Sequence, residues 1–183
     1  MNQDNLLKGL ARGHGDAQRT LLQQYGGRVF AQIARVVRRQ EDAEEVYQDV
    51  FIKVFRSIGS YDPSKASLST WLLRIAYHEA LNFARSGPPP TVSMEDCARE
   101  AENIDSQEAD TLLDRDDDEA VALIEKAIDR LRPTDQTLIS MYYYEGLSTK
   151  DIAYITDSTP VTVASRLFRT RQKLQRIIKD LKR

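Results

Sequence analysis

Three consecutive prolines, Pro88, Pro89 and Pro90, divide this chain of 183 residues into two parts. Proline lacks the amide hydrogen that a helix needs and clashes with the preceding turn, so no helix continues through such a run. Gly87 directly before it favours helix termination. The residues that follow, as far as about Arg115, are acidic and include few large apolar side chains, as is typical of a flexible connector. The sequence therefore predicts domains over 1–86 and 118–183, joined by an acidic linker over 87–117.

Apolar residues recur at three- and four-residue steps on both sides of the linker, which predicts helices. In the first part these stripes run through residues 21–37, 42–55 and 69–85. Asp42 is placed to cap the second helix, and Trp71 lies on the apolar stripe of the third, so we expect it in the core. No stretch alternates apolar and polar residues, so no sheet is expected. The predicted fold class is all-α, with two small helical domains.

A short helix, a three-residue turn and a longer helix near the C-terminus are typical of a helix-turn-helix. Ser148 caps the short helix, with Asp151 as its capping-box acid. Thr159 caps the long helix, and Pro160 suits its first position. The small side chain of Ala153 lies where the two helices must cross closely. In helix-turn-helix proteins the second helix enters the major groove of DNA.

The net charge of −2 conceals a strong segregation along the chain. Residues 86–120 carry a net −10, whereas residues 159–183 carry a net +7. A basic C-terminal helix favours an anionic partner such as DNA. An ordinary antiparallel helical pair with a solvated basic face would explain the same charge.

Several protein classes are excluded by composition. The single cysteine, Cys97, cannot form an internal disulfide, and with only His14 and His78 it cannot complete a zinc cage. No run approaches the roughly 20 apolar residues of a membrane span, and the N-terminus lacks a signal-peptide pattern. We therefore expect a cytoplasmic protein with no cofactor, no small-molecule substrate and no direct membrane insertion.

Two segments resemble one known family. The C-terminal segment TLISMYYYEGLSTKDIAYITDSTPVTVASRLFRTRQKL is similar to the promoter-binding domain of bacterial sigma factors. The segments EDAEEVYQDVFIKVF and YDPSKASLSTWLLRIAYHEALNFAR are similar to the N-terminal core domain of that family. The linker length and the lack of other domains resemble the extracytoplasmic-function (ECF) group of the sigma-70 family. The resemblance implies a transcription initiation factor rather than an enzyme.

The resemblance also implies partners. They are core RNA polymerase, promoter DNA and, as for many members of the group, a membrane-bound anti-sigma factor. The helix over residues 42–55 would dock on the polymerase. The residues assigned to that contact are Asp42, Glu45, Gln48, Asp49 and Phe51. The alternative for these acids is a solvated helix face.

In the family, the next loop and helix read the −10 promoter element and help to open it. The residues that the resemblance places near the non-template strand are Tyr61, Lys65, Ser67, Ser69, Thr70, Arg74, Tyr77 and His78. An extruded base needs a polar pocket and a stacking surface, which such side chains supply. The family commonly has Asn where His78 stands and Asp where Asn82 stands, so the −10 specificity does not carry over.

The helix-turn-helix would read the −35 element. The residues assigned to that contact are Thr159, Thr162, Ser165, Arg166, Phe168, Arg169 and Lys173. The family's turn usually carries Gly and an apolar residue where Asp157 and Ser158 stand. Asp tolerates the left-handed conformation that such a turn needs, so we expect the turn to form. Ala164 replaces a frequent basic residue, which removes one base or phosphate contact.

Two alternatives come from other classes of protein. A dimeric helix-turn-helix repressor would bind palindromic duplex DNA without polymerase. An enzyme would hold Mg²⁺ with Asp114, Asp116, Asp117 and Asp118, but adjacent acids point to different sides of a helix and rarely converge on one ion. The acidic linker further predicts that the two domains move independently in the free protein.

Overall fold

The computed structural model describes residues 3–86, here called the N-terminal unit, and residues 118–182, the C-terminal unit. Side chains of the C-terminal unit are described from residue 121 onwards. The predicted linker lies outside these residues, with Cys97 and Asp114, Asp116 and Asp117. Within the two described units every regular element is a helix, which confirms the all-α prediction.

Four α-helices form the N-terminal unit. They are α1 (Gln3–Ala11), α2 (Gly15–Ala34), α3 (Gln40–Ser57) and α4 (Leu68–Ser86), with a 3₁₀ turn at Ile58–Ser60 before the last. Helix α4 packs against both α2 and α3. The apolar stripes that predicted α2, α3 and α4 face one another, and Leu21, Ile33 and Val50 are fully buried. Helix α1 was not predicted. Trp71 is 7% exposed in the same cluster, as predicted.

Helix α3 begins three residues before the position that a cap at Asp42 would give. Its N-cap is Arg39, which makes no side-chain cap hydrogen bond. Asp42 therefore lies in the first turn rather than at the cap, and the expectation that it caps the helix was wrong. Its carboxylate lies 3.8 Å from the Arg39 guanidinium. Glu41 and Asp42 both place negative charge at the positive end of the helix dipole, which stabilises it.

Four further α-helices form the C-terminal unit. They are α5 (Asp118–Asp129), α6 (Pro133–Ile139), α7 (Thr149–Thr156) and α8 (Pro160–Leu181), with a π-helical turn at Ser140–Tyr144 after α6. Pro133 occupies the first turn of α6, where its missing amide hydrogen is not needed. Gly146 ends this segment with a φ of 62°, a conformation that glycine adopts without strain.

Helices α7 and α8 form the predicted helix-turn-helix. The Oγ of Ser148 accepts the Asp151 amide at 3.1 Å, and the Oγ1 of Thr159 accepts the Thr162 amide at 3.2 Å. Both predicted caps are confirmed. Asp157 in the turn has φ 51° and ψ 45°, which is the left-handed conformation. The buried residues at the helix crossing are Ile152, Ala153, Ile155, Val163 and Leu167.

The two units pack against each other through α4 and α7. Leu73 and Tyr77 of α4 are 1% and 6% exposed and belong to the apolar cluster of the C-terminal unit. Tyr154 of α7 packs against the cluster of the N-terminal unit. Helices α4 and α7 thus bury apolar surface between the two units, which the linker charge did not indicate. The predicted independent movement of the two domains stays a prediction.

Candidate protein and nucleic-acid interfaces

The outer face of α8 is exposed along its N-terminal half. Thr162, Ser165 and Arg169 of the predicted −35 set lie on this face, and Phe168 is 37% exposed. Their four- and three-residue spacing puts them on one side of the helix. In helix-turn-helix proteins this part of the second helix meets the base edges. The structure therefore brings most of the predicted −35 residues together.

Three hydroxyls at the N-terminal end of α8 also stabilise the helix itself. The Oγ1 atoms of Thr159 and Thr162 lie 2.9 Å apart. The Oγ of Ser165 donates to the carbonyl oxygen of Val161 at 3.0 Å. A hydroxyl keeps accepting capacity when it donates one bond, so these groups can still accept a hydrogen bond from a base.

Arg166 and Lys173 of the predicted −35 set each contact a residue outside α8. The Nζ of Lys173 donates to the Oδ2 of Asp135, at the start of α6, at 3.1 Å. Arg166 is half-buried and hydrogen-bonds the phenol of Tyr77 in the N-terminal unit. Both cations thus have partners outside α8 in this structure, and their assignment to the −35 contact stays a prediction.

Val161 belongs to the same face and was not among the predicted residues. It is 76% exposed, the largest exposed fraction among the exposed large apolar side chains. It lies four residues before Ser165 and seven before Phe168, so the helical period would have placed it there. An apolar side chain at this position can contact a thymine methyl group.

The predicted −10 residues begin in the loop before α4. The Tyr61 hydroxyl donates to the Ala66 carbonyl at 3.2 Å, and its ring lies 5.6 Å from that of Trp71. Burial raises the pKa of the Tyr61 phenol above its ordinary value. Lys65 is exposed, with its Nζ 3.8 Å from Asp62. Ser67 caps α4, because its Oγ accepts the Thr70 amide at 3.1 Å.

The −10 residues on α4 all face the C-terminal unit or α2. Ser69 accepts a hydrogen bond from Arg28 at 3.2 Å. Thr70 is 2% exposed, and its Oγ1 lies 3.4 Å from the Oδ1 of Asp151. Tyr77 is buried in the C-terminal apolar cluster, and this burial raises the pKa of its phenol, against a smaller opposite effect of Arg166. In this arrangement these side chains are covered by protein.

Arg74 and His78 lie one helical turn apart on α4 and share one carboxylate. The guanidinium of Arg74 lies 2.7 Å from the Oδ1 of Asp157, and the Nε2 of His78 lies 3.0 Å from its Oδ2. Among the described residues, His78 Nε2 has no partner with hydrogen-bonding geometry, so its approach is a close polar contact. Arg74 also lies over the Tyr154 ring, 4.9 Å from its centroid.

Helix α3 exposes the predicted acidic face. Glu45, Gln48 and Asp49 are exposed, and Ile52, which was not predicted, is 48% exposed on the same side. Phe51 is 4% exposed and belongs to the core. Its assignment to the polymerase contact does not fit this position, because the buried stripe of α3 runs through Phe51 and the exposed one through Ile52.

Neither a metal centre nor a membrane span is found in the described part of the chain. Among the side chains described in 3–86 and 121–182, no group of three or more His, Cys, Asp or Glu could hold a metal ion. No described helix is long and apolar enough to cross a bilayer.

Comparison with known proteins identifies the family of this chain. The family model for Sigma-70 region 2 matches residues 21–87, and the model for Sigma-70 region 4 matches residues 122–174. The RNA polymerase sigma-H factor of Pseudomonas aeruginosa is 32% identical over 97% of this chain and 94% of its own length. The chain belongs to the sigma-70 family.

Other relatives place this sigma factor in the ECF group. The ECF RNA polymerase sigma-E factor of Haemophilus influenzae is 32% identical over 96% of this chain and 95% of its own length. The ECF RNA polymerase sigma-E factor of Escherichia coli is 30% identical over 96% of this chain and 94% of its own. The chain is therefore a transcription initiation factor, and nothing among these matches favours a stand-alone repressor.

Two solved structures share the fold. The structure of CnrH in complex with the cytosolic domain of CnrY has a TM-score of 0.63 at 20% identity, covering 96% of each chain. The sigma factor RpoE in complex with the anti-sigma factor NepR from Bartonella quintana has a TM-score of 0.60 at 21% identity. That match covers 88% of this chain and 96% of RpoE.

Proposed function

We propose that this sigma factor binds core RNA polymerase through the exposed face of α3 and directs it to promoters that it reads with α4 and α8. The observation that carries the proposal is the presence of two separate exposed faces, one acidic and one on a recognition helix, within the two matched sigma-70 regions. The chain would act in the cytoplasm, where the polymerase works.

The α3 face has the composition of a protein-binding surface. Ile52 supplies an exposed apolar side chain, and Glu45, Gln48 and Asp49 supply polar groups on the same side of the helix in the turns before it. Protein interfaces commonly have a few buried anchors within a polar rim. The carboxylates would meet basic groups of the polymerase, which increases the rate of encounter and fixes orientation.

The −10 surface is proposed on the loop before α4 and on α4 itself. Lys65 and Arg74 offer positive charge to the strand, Tyr61 offers a ring on which a base can stack, and His78 offers a hydrogen-bonding group. Single-stranded DNA is bound by this combination of cations and stacking surfaces. Ser67 and Thr70 contribute mainly by fixing the start of α4, because their hydroxyls hydrogen-bond each other.

The −35 surface is proposed on the N-terminal half of α8. Arg169 can donate two hydrogen bonds to a guanine edge or contact a phosphate. Thr162 and Ser165 can reach either kind of group, and Val161 and Phe168 offer apolar contact to a thymine methyl. The basic end of α8 adds attraction to the phosphate backbone that does not depend on sequence.

An anti-sigma factor is a further proposed partner. Both structural neighbours were solved as complexes, CnrH with CnrY and RpoE with the anti-sigma factor NepR. Such a partner would have to cover the α3 face or the DNA-binding faces to block initiation.

In vitro transcription tests the proposal directly. The purified chain is added to bacterial core polymerase with a library of genomic DNA fragments, and start sites are mapped. We expect new start sites that core polymerase alone does not produce, with a shared sequence upstream. Failure of the chain to associate with core, together with tight binding of palindromic duplex DNA by the chain alone, would support the repressor alternative instead.

A further inference from the structure

The carboxylate of Asp157 joins the two units at the surface proposed to read the −10 element. Asp157 lies in the turn of the helix-turn-helix, whereas Arg74 and His78 lie on α4 of the other unit. One oxygen lies 2.7 Å from the Arg74 guanidinium and the other 3.0 Å from the His78 ring. The side chain of Arg74 is 37% exposed, that of His78 35% and that of Asp157 52%. DNA could therefore reach Arg74 and His78 once the carboxylate leaves.

The backbone at Asp157 is unusual for a residue with a side chain. Its φ of 51° is in the left-handed region, and within the described residues it is the one non-glycine residue with a positive φ. Glycine adopts this conformation without strain, and Asp is among the few other residues that tolerate it. The geometry of the turn therefore does not require a carboxylate. What the carboxylate adds is the contact with Arg74 and His78 of α4.

Further contacts surround this pair of charges. The Tyr154 ring of α7 lies against Arg74, 4.9 Å from the guanidinium carbon. Thr70 contacts Asp151, at the start of α7, at 3.4 Å. Leu73 and Tyr77 bury their side chains in the C-terminal cluster. The face of α4 that carries the proposed −10 residues is thus covered by the helix-turn-helix.

We propose that the Asp157 carboxylate closes the −10 surface of the free protein. It occupies the cationic site at Arg74 and His78, which DNA uses once the two units have separated. The proposal rests on the proposed function only in assigning Arg74 and His78 to the −10 strand. A carboxylate on the same chain and an anionic strand compete for the same two side chains. DNA binds this site only in the open form, in which the carboxylate has left Arg74 and His78. The apparent affinity therefore equals the affinity of the open form multiplied by the fraction of molecules that are open.

Distances between the units in the free chain test the closure without polymerase or DNA. Cys97 is replaced by Ser, and spin labels are attached at Arg56→Cys and Lys179→Cys, both exposed positions in different units. Asp157→Gly removes the carboxylate and keeps a residue that adopts the left-handed turn. Asp157→Asn keeps the side-chain shape but removes the charge. Asp16→Asn is the matched control, because Asp16 is 97% exposed and pairs with Arg19 on its own helix.

We expect one narrow distance distribution for the parent chain and for Asp16→Asn. Both substitutions at Asp157 should broaden it towards longer distances, more so for Gly. Added salt should broaden the parent distribution as well, because it screens exposed ion pairs. A broad distribution in the parent chain, or a narrow one that persists in both Asp157 variants, would overturn the proposal.

Binding of single-stranded DNA provides a second readout. The probe is a fluorescent pool of random-sequence single strands, titrated against the free full-length chain. Asp157→Gly should bind it about fivefold more tightly than Asp16→Asn, which changes the net charge equally, since an exposed ion pair contributes up to roughly that factor. Equal affinity of the two variants would overturn the proposal. Neither measurement contains polymerase, whereas start-site mapping does. The closure can therefore be contradicted while the proposed function is supported, and the proposed function can be contradicted while the closure is supported.

Discussion

The Arg28 guanidinium in α2 contacts the Glu145 carboxylate at 2.6 Å, although 117 positions separate the two residues. The same guanidinium donates to the Oγ of Ser69 at 3.2 Å. It therefore connects α2 and α4 with the segment that follows the π-helical turn. The side chains of Arg28 and Glu145 are 42% and 15% exposed, so water screens much of their attraction.

The first prediction concerns the strength of this contact. A double-mutant cycle with Arg28→Ala and Glu145→Ala should give a coupling of roughly 0.5–1 kcal/mol in the free energy of unfolding. The coupling should decrease as salt is added. The measurement is urea denaturation of the full chain at low and high salt. The control cycle uses Arg39 and Glu41, which are 72% and 83% exposed, and should give a coupling near zero. A salt-independent coupling would argue against an ionic origin.

The second prediction concerns glycine positions in helices. A Cβ added at Gly9 would lie 2.7 Å from the Cβ of Ala17, where α1 crosses α2. Gly9→Ala should therefore lower the free energy of unfolding by about 1–3 kcal/mol. Gly27 is the matched control, because a Cβ there meets nothing within 4 Å. Gly27→Ala should raise stability by up to about 1 kcal/mol through helix propensity. Thermal denaturation measures both, and equal effects at the two sites would contradict the packing explanation.

The third prediction concerns the α3 face. Ile52→Ala should weaken binding of core polymerase by about 1–2 kcal/mol, because a central apolar anchor is lost from a polar rim. Its stability should change little, since Ile52 is 48% exposed. Fluorescence anisotropy of labelled chain titrated with core polymerase measures the affinity. Val121→Ala is the control, because Val121 is 44% exposed on α5 and should leave binding unchanged.

Phe51→Ala distinguishes core packing from polymerase binding on α3. Phe51 packs against Tyr47 and Phe55, with ring centroids 4.9 and 5.9 Å away. Its truncation should lower the free energy of unfolding by about 3–5 kcal/mol. If Phe51→Ala were instead stable and defective only in polymerase binding, the assignment of Ile52 to the interface would be wrong.

The fourth prediction concerns the recognition helix. Arg169→Ala should weaken promoter binding by the holoenzyme by roughly 1–3 kcal/mol if Arg169 contacts a base, with relaxed specificity at that base pair. Footprinting of the −35 region checks it, together with affinity for promoters mutated at each position. Lys126→Ala is the control, because Lys126 is exposed in the last turn of α5, outside the proposed DNA-binding faces, and its loss should change affinity little. An unchanged upstream footprint for Arg169→Ala would remove the assignment.

The positions and caps of α7 and α8 could be predicted from the sequence because they depend on neighbouring residues, whereas the Asp42 cap predicted for α3 was wrong. Ser148, Thr159 and Pro160 define the ends of α7 and α8 by local hydrogen bonding and fixed backbone angles, and the structure agrees. The left-handed conformation at Asp157 follows from the same kind of local reasoning. Binding at these faces was inferred from resemblance, and its residues remain proposals.

Two features could not be predicted from local patterns. The choice between Phe51 and Ile52 depends on the rotation of α3 about its axis by one residue, and a stripe of apolar residues defines that angle only loosely. The packing of α4 against α7 brings together residues such as Thr70 and Asp151, which are 81 positions apart. The residue pattern of one helix does not indicate which helix it packs against. The burial of Tyr77 and the ion pair of Arg74 with Asp157 are therefore visible only in the folded structure.

The contact between Thr70 and Asp151 has a consequence for how quickly the two units can separate. Each residue also has a partner within its own unit, since Thr70 bonds Ser67 at 2.8 Å and Asp151 bonds Ser148 at 2.5 Å. Loss of the contact would thus leave the N-terminal caps of α4 and α7 intact, and both side chains would keep a hydrogen-bond partner. Release and return can then proceed as motion of preformed bodies, which takes microseconds to milliseconds, rather than as melting and refolding.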